Sequence, residues 1–377
     1  MPRIVAAAPL VRVHVLDPSA YTPPYDHALC AALARAGADV TLVTSRFAYS
    51  TVPRPDGYAV KESFYRLAPG RPGSRARLGA KVAQHVPDML RARRAAEHAA
   101  DLAHFQWLSI QHVDRHLLPR GRPVVLTAHD VLPREPRRGQ REAQRRLYQR
   151  VAAIVVHSEH GRGRLTGELG IDPAKVHVIP HGAFAHLRDV RPAPLPPELP
   201  PAGERPVVLF FGLLRPYKGL DVLLEAWSEI DGAELWIAGM PRMDLAPLKE
   251  KAPPTVHWVE RFIGDAEAAA LFGRADLVVL PYREIDQSGV LFTALAFGRP
   301  LLLTAVGGFP EVAAAGAAEV VPPGDPRALG DAIARLVADR AARDRLATAA
   351  ARAAATDYDW DAIARRHLDL YATLVRR

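Results

Sequence analysis

Two apolar patterns alternate along the chain. Short continuous runs, such as VVLFF at 207–211 and LVVL at 277–280, carry apolar residues at every position. Runs of this kind suit strands covered on both faces, as in parallel sheets. Between them lie longer stretches with helical periodicity. Strands are predicted at 11–16, 40–44, 102–106, 124–127, 154–157 and 176–179, then at 207–211, 234–238, 277–280 and 301–304. Helices are predicted at 26–36, 75–100, 139–150, 161–169, 220–229, 266–272, 290–297, 326–338 and 340–354. Strand and helix in turn point to parallel sheets built from βαβ units, an α/β fold class.

Residues 191–206, RPAPLPPELPPAGERP, contain seven prolines. Such density removes backbone donors and fixes φ, so the segment reads as a semi-rigid spacer between two lobes. The predicted organisation is a first domain over 1–190, the linker over 191–206 and a second domain over 207–359. In open parallel sheets ligands bind beyond the carboxyl ends of the strands, so a cleft between the lobes is expected.

Composition narrows the class. With 49% hydrophobic and 24% charged residues the chain can bury sizeable cores and is not disordered. One cysteine, Cys30, excludes a disulfide framework and a Cys-rich zinc site. No uncharged apolar run reaches the ~18 residues of a membrane span. The apolar start of the chain is followed at once by Arg12 and His14 with no small-residue cleavage site, so the reading is cytoplasmic. The net charge of +8 is uneven: residues 1–200 hold 29 Lys+Arg against 17 Asp+Glu, and residues 201–377 hold 20 against 24. The basic half suggests an anionic partner. Its densest part is 134–150, where Arg134, Arg138, Arg141 and Arg145 would share one helical face, with Arg150 beyond them. This reads as a patch for a membrane surface or an anionic acceptor, against a plainly solvated face. Only Tyr148 interleaves with the arginines, so nucleic acid is not the expected partner.

Three local patterns carry little. Gly161, Gly163 and Gly167 follow a strand as GxGxxxG, but no acidic residue stands where a ribose would need one. His112 and His116 stand four apart on a helix, yet Asp114 and Arg115 between them read as solvent-facing and no third ligand is evident. Asp357-Tyr358-Asp359 matches a metal-holding Asp-x-Asp signature but precedes the last helix, where aspartates serve as caps. No metal is expected.

The most informative stretch is VVLFFGLLRPYKGLDVLLEAW, 207–227. A buried strand ends at Gly212, a short loop carries Arg215 and Lys218, and Gly219 opens an amphipathic helix. Free N–H groups at a helix start with two cations beside them suit a diphosphate. A second loop-to-helix start, REIDQSGVLFTALAFGRP at 283–300, offers Ser288 and Gly289. A third turn, VGGFPEV at 306–312, has paired glycines that permit close backbone approach to a ligand.

These segments, with RGRPVVLTAHDVLP, VVHSEHGRGRL, VIPHG, LWIAG, ADLVVLPY and VVPPGD in order, make the chain resemble the retaining, nucleotide-sugar-dependent glycosyltransferases of family 4. The resemblance spans nearly the whole chain. It implies the GT-B fold, two Rossmann-like parallel-sheet domains facing a central cleft, with the acceptor on the first and the donor on the second. It implies that the last helix, 360–377, packs back on the first domain. It implies metal-independent transfer of a sugar from a nucleoside diphosphate sugar to a hydroxyl acceptor with retention. No cofactor is implied beyond that donor; the acceptor would be a glycan, a lipid-linked molecule or a small molecule. By the resemblance, Arg215, Lys218 and His129 would be catalytic. Gly212, Val259, Arg261, Phe262, Glu284, Ser288, Gly289, Val290 and Thr293 would meet the donor. His181 would shape the cleft floor, and Tyr25, Asp26 and His27 would contact acceptor or sugar. Two departures stand out. Where the family carries two glutamates eight residues apart, this chain has Ile285 and Thr293, with Glu284 and Asp286 flanking the first. Where an Arg often follows the loop glycine, it has Leu213. A sugar-nucleotide epimerase on the same scaffold is one alternative; the other, which Ile285 and Thr293 leave open, is a non-catalytic sugar-nucleotide-binding, membrane-associated protein.

Overall fold

The computed structural model describes residues 11–48, 51–68, 74–132, 138–201 and 203–376. The chain divides into two units, one of Met1–Pro180 with Trp360–Arg377 and one of His181–Asp359.

The first unit holds seven strands: β1 (Arg12–Asp17), β2 (Asp39–Ser45), β3 (Ala59–Phe64), β4 (Leu102–Phe105), β5 (Val124–Thr127), β6 (Ala153–Val156) and β7 (Val176–Val178). They form one parallel sheet in the order β3-β2-β1-β4-β5-β6-β7. β4, β5 and β6 are buried at every residue, which is why their sequences show no polar alternation. β3, AVKESF, was not anticipated: it is an edge strand, largely exposed, and needs no apolar face. The chain runs outward from β1 to β3 and returns to β4 on the other side of β1. The carboxyl ends of β1 and β4 therefore flank a switch point, where side connections diverge and leave a crevice.

The second unit repeats the plan with β8 (Val207–Phe211), β9 (Glu234–Ala238), β10 (Val256–Val259), β11 (Leu277–Leu280), β12 (Leu301–Thr304) and β13 (Glu319–Val321). The order is β10-β9-β8-β11-β12-β13, again parallel throughout, with its switch point between β8 and β11. β10 and β13 escape the sequence pattern because they are short and half-polar.

The boundary falls after Pro180, ahead of the proline-rich segment that the sequence reading took as the linker. Residues 191–206 lie in the second unit, where Leu199 is buried in the core, Leu195 packs against it, and the Ala193 amide donates to the Ala266 carbonyl at 2.9 Å. A proline-rich strap keeps its apolar side chains, and these anchor it.

The last helix, Trp360–Val375, belongs to the first unit. Its buried residues Trp360, Ile363, Ala364, His367, Leu370 and Tyr371 follow a helical stripe. The Tyr371 hydroxyl lies 2.6 Å from His104 Nδ1, and Arg35 Nε donates to Asp361 at 3.0 Å. Among the described residues no helix is long and apolar enough to cross a membrane.

Candidate functional site

At the switch point of the second sheet, β8 ends in Gly212 with φ +104°. The chain then turns through a 3-10 segment, Pro216–Lys218, into the helix Leu220–Trp227. Gly219 joins them at φ +68°, and a Cβ there would stand 2.0 Å from the Pro281 carbonyl oxygen. Only glycine permits this approach of the loop to the chain beyond β11. Arg283 pins the same loop, donating to Asp221 at 2.8 Å and to the Pro216 carbonyl at 3.1 Å.

Within this loop the two cations part company. Arg215 is exposed, whereas Lys218 is only 6% exposed, its ammonium 4.9 Å from the centre of the Tyr282 ring. A Cβ placed on Gly212 would be 2.9 Å from Lys218 Nζ and 3.2 Å from Val290 Cγ2. A buried ammonium and the first turn of the helix Gly289–Ala296 thus converge beside the glycine that ends β8. The first amides of that helix have no intrahelical acceptor, and the helix dipole adds positive potential there. The arrangement can hold an anion.

The loop before that helix explains the departures read from the sequence. Ile285 is buried in the core, and Glu284 beside it is exposed. Asp286 is 8% exposed and its carbonyl accepts from the Gly308 amide at 3.3 Å. Gly307 closes on this loop at φ +56°, where a Cβ would meet the Ile285 carbonyl at 1.9 Å. Ser288 is buried and its side chain does not cap the helix. The Thr293 hydroxyl is buried and donates back to the Gly289 carbonyl at 3.1 Å, so its proton is already used. Val259 is fully buried and its carbonyl accepts from Gly239 at 2.9 Å. Arg261 is held by Glu267 at 2.7 Å and Glu198 at 3.1 Å, and Phe262 is 43% exposed. His181 is buried beneath the helix, stacked on Phe292 with ring centres 4.3 Å apart.

In the first unit, His129 follows β5 and is half-buried against Trp107, with the rings parallel and their centres 5.0 Å apart. His157 holds it from behind. Burial pushes His157 down to about 4, so its ring is neutral near pH 7. Its Nδ1–H donates to the Ile179 carbonyl at 3.0 Å, and its Nε2 accepts from His129 Nδ1–H at 3.2 Å. This leaves His129 Nε2 as an acceptor, 3.2 Å from the end of the Gln106 side chain, whose amide NH2 can serve it. Trp107, Gln106 and His157 were missed by sequence reasoning; only their place after β4 and β6 could have flagged them.

Tyr25, Asp26 and His27 were expected to contact acceptor or sugar. All three are buried, at 1%, 1% and 5% exposure, in the helix Pro23–Arg35. Helix formation begins at the prolines, one turn earlier than the polar residues suggested, and turns these side chains into the unit. Asp26 lies against Asp17, whose carboxylate accepts from the Ser19, Tyr21 and Thr22 amides at 3.2, 2.5 and 3.2 Å. Burial and the Asp17 charge raise the Asp26 carboxyl well above the usual range, so Asp26 keeps the proton.

The arginine-rich stretch also differs. Gly139 adopts a left-handed conformation and the helix begins only at Gln140, so Arg138 is off it; Arg134 lies outside the described residues. Arg145 and Arg146 both bond Glu142, at 2.8 and 2.6 Å, and Arg141 donates to the Glu168 carbonyl at 2.9 Å. Arg150 is exposed. Asp114 is fully buried rather than solvent-facing: it bonds His85 at 2.5 Å and accepts from the Ile110 amide at 2.8 Å. Its helix, Gln111–Leu117, packs that face inward. Among the described residues no His, Cys, Asp or Glu group is arranged to hold a metal.

Residues 25–183 match Glycosyltransferase Family 4, and residues 205–339 match Glycosyl transferases group 1. The chain belongs to the group 1/family 4 glycosyltransferases. It has their GT-B fold. A D-inositol 3-phosphate glycosyltransferase of Kineococcus radiotolerans is 27% identical, over 92% of this chain and 89% of that protein. A phosphatidyl-myo-inositol mannosyltransferase of Mycobacterium leprae is 30% identical over 60% of each chain. In fold, the Anabaena HepE protein crystallised with UDP-glucose superposes with a TM-score of 0.73, at 17% identity, over 96% of this chain and all of that one. This glycosyltransferase therefore carries an anion-ready turn at the switch point of its second sheet.

Proposed function

We propose that this glycosyltransferase moves a sugar from a nucleoside diphosphate sugar to a hydroxyl acceptor with retained anomeric configuration, and that Lys218 is its principal catalytic cation. The observation that carries the reading is the convergence beside Gly212 of the Lys218 ammonium and the Val290 side chain, which brings the first turn of the helix Gly289–Ala296 to the same place. As the bond from the anomeric carbon to the diphosphate breaks, negative charge develops on the leaving oxygens. Fixed positive groups there stabilise that charge without reorganising, often the largest single contribution to catalysis. Arg215, exposed on the same loop, adds charge once a diphosphate is bound. The acceptor oxygen bonds the anomeric carbon on the face the diphosphate leaves, and its proton passes to a diphosphate oxygen. No divalent metal is required in this scheme.

His129, its tautomer set by His157, is assigned to the sugar being transferred. Asp286 is the flanking carboxylate that is buried, and is assigned to the donor sugar in place of the glutamate that Ile285 replaces. For the acceptor, the inositol- and lipid-based names of the relatives and the basic first half of the chain support an anionic or lipid-linked alcohol, met at a membrane surface on the cytoplasmic side. The experiment is a product assay by mass spectrometry with UDP-glucose and GDP-mannose against inositol phosphate and phosphatidylinositol. A new glycoside with wild-type protein, lost in Lys218→Ala, supports the reading. Equal product from both proteins refutes the role of Lys218.

A further inference from the structure

Tyr65, the first residue after β3, has φ +54°, a left-handed backbone that an aromatic residue adopts only when its surroundings impose it. The helix Arg75–Ala99 imposes it. His85 and Asp88, one turn apart on the buried face of that helix, grip the residue at both ends. Asp88 accepts from the Tyr65 amide at 2.7 Å, and His85 Nδ1 lies 2.8 Å from the Tyr65 hydroxyl. His85 Nε2 in turn meets Asp114 at 2.5 Å, and the other Asp114 oxygen accepts from the Ile110 amide at 2.8 Å. All four of these side chains are buried.

This chain of bonds has a direction. Asp114, with both oxygens accepting, takes the His85 Nε2–H, so in the neutral ring Nδ1 accepts and the Tyr65 O–H donates to it. The Tyr65 oxygen keeps its lone pairs for the other side. Burial pushes the Tyr65 hydroxyl up to about 12, and the Ser19 hydroxyl is the group that pulls the other way, so it faces the phenol oxygen as a donor. Ser19 follows β1, and its own oxygen lies 3.4 Å from that of Ser109, which follows β4 and is exposed. The serine pair thus stands at the switch point of the first sheet, where a crevice is left. Asp17, Asp88 and Asp114 all add negative potential at Tyr65, which draws the hydroxyl protons inward. Lys81 meets the face of the Tyr65 ring, its ammonium 4.9 Å from the ring centre, and leaves the oxygen end to Ser19. Lone pairs of Ser19 and Ser109 are therefore what the relay turns to the crevice. They suit the proton of a hydroxyl and repel an anion.

We propose that the Ser19 and Ser109 oxygens form a hydrogen-bond subsite for a hydroxyl of a polyol acceptor, and that Tyr65, fixed by His85 and Asp114, is the residue that positions Ser19. The assignment deepens the hydroxyl-acceptor part of the proposed function and rests on it. Saturation-transfer NMR with myo-inositol and methyl mannoside as probes, with and without UDP or GDP, tests it without requiring turnover. Wild type transfers saturation to the ring hydrogens of at least one probe. Ser19→Ala and Tyr65→Phe each weaken binding of that probe by about threefold to tenfold, the range for one neutral hydrogen bond, and leave nucleotide affinity unchanged. Both changes together lose no more than Ser19→Ala alone, because Tyr65 acts through Ser19; a merely structural tyrosine would add a loss of its own or disturb nucleotide binding. Ser19 lies half-buried in a turn, so its variant keeps the test open even where loss of the Tyr65 hydroxyl, which leaves His85 unpaired, impairs folding. Lys218→Ala binds the probe like wild type and loses product. Wild type that binds a probe and makes no glycoside is a failure of the transfer reading alone. Wild type that transfers saturation to neither probe overturns the proposal, as does Ser19→Ala that binds like wild type. Displacement of the probe by inorganic phosphate at equal concentration would make the subsite an anion site and overturn it too.

Discussion

Lys218 is the inner of the two loop cations, 6% exposed, where lysines are seldom found. The Tyr282 ring face receives its ammonium, while the neighbouring helix start adds positive potential that favours an anion beside both. Replacing it by alanine is expected to lower turnover by roughly 10²–10³-fold with an unchanged melting transition, the effect of losing one preorganised donor. Steady-state kinetics on the folded variant measure it. Thr293 makes the opposite case. Its hydroxyl proton is spent on the Gly289 carbonyl, so Thr293→Val should change nucleotide affinity by less than about threefold in calorimetry, below the ~1 kcal/mol typical of a lost hydrogen bond. A larger loss would mean that the hydroxyl turns to the ligand. Gly219→Ala should destabilise the fold by more than about 1 kcal/mol in denaturant unfolding, because φ is positive and the Pro281 oxygen occupies the place of a Cβ. The sequence made Arg215 and Lys218 visible through their position after a strand-ending glycine. It could not tell them apart, because Tyr282 and Val290, which make Lys218 the inner cation, come from later in the chain.

Elements show where sequence patterns end. Core strands are legible because burial on both faces writes itself as an unbroken apolar run. β3, with only an edge to satisfy, leaves no such mark, and Gly139 cuts short a helix that the arginine spacing alone would extend. The helix Trp360–Val375 docks through groups whose meaning appears only in three dimensions. Burial pushes His367 down to about 4 and His104 well below its usual value, and the Tyr371 hydroxyl bonds His104. These rings are neutral when folded but take a proton near pH 6.5 once unfolded. Their contribution is therefore fully present above about pH 6.5 and is lost as pH falls below it; for His367 the loss runs down to about 4, at about 1.4 kcal/mol per pH unit. Denaturant unfolding of the wild type and His367→Gln between about pH 7 and pH 5 should show a shallower slope in the variant. Parallel slopes would count against a neutral buried His367.

On the scale of the whole molecule, each unit is a parallel sheet that starts at its centre and turns back, so each has a switch point at the carboxyl ends of its middle strands. That doubling was legible from alternation alone. The division of the chain was not, because the proline-rich strap carries Leu195 and Leu199 into the second core. The charge scheme proposed for the second switch point is complete without a divalent ion. Turnover should then survive excess EDTA within about twofold, whereas dependence on a bound metal of the kind that neutralises a diphosphate would abolish it. The most direct measurement is calorimetric titration of wild type and Lys218→Ala with UDP and GDP. The account predicts that one nucleotide binds the wild type and that its affinity falls at least about tenfold in the variant, the ~1.5–3 kcal/mol of a charge-assisted hydrogen bond. Equal affinity in both proteins, or binding of neither nucleotide to the wild type, would contradict it.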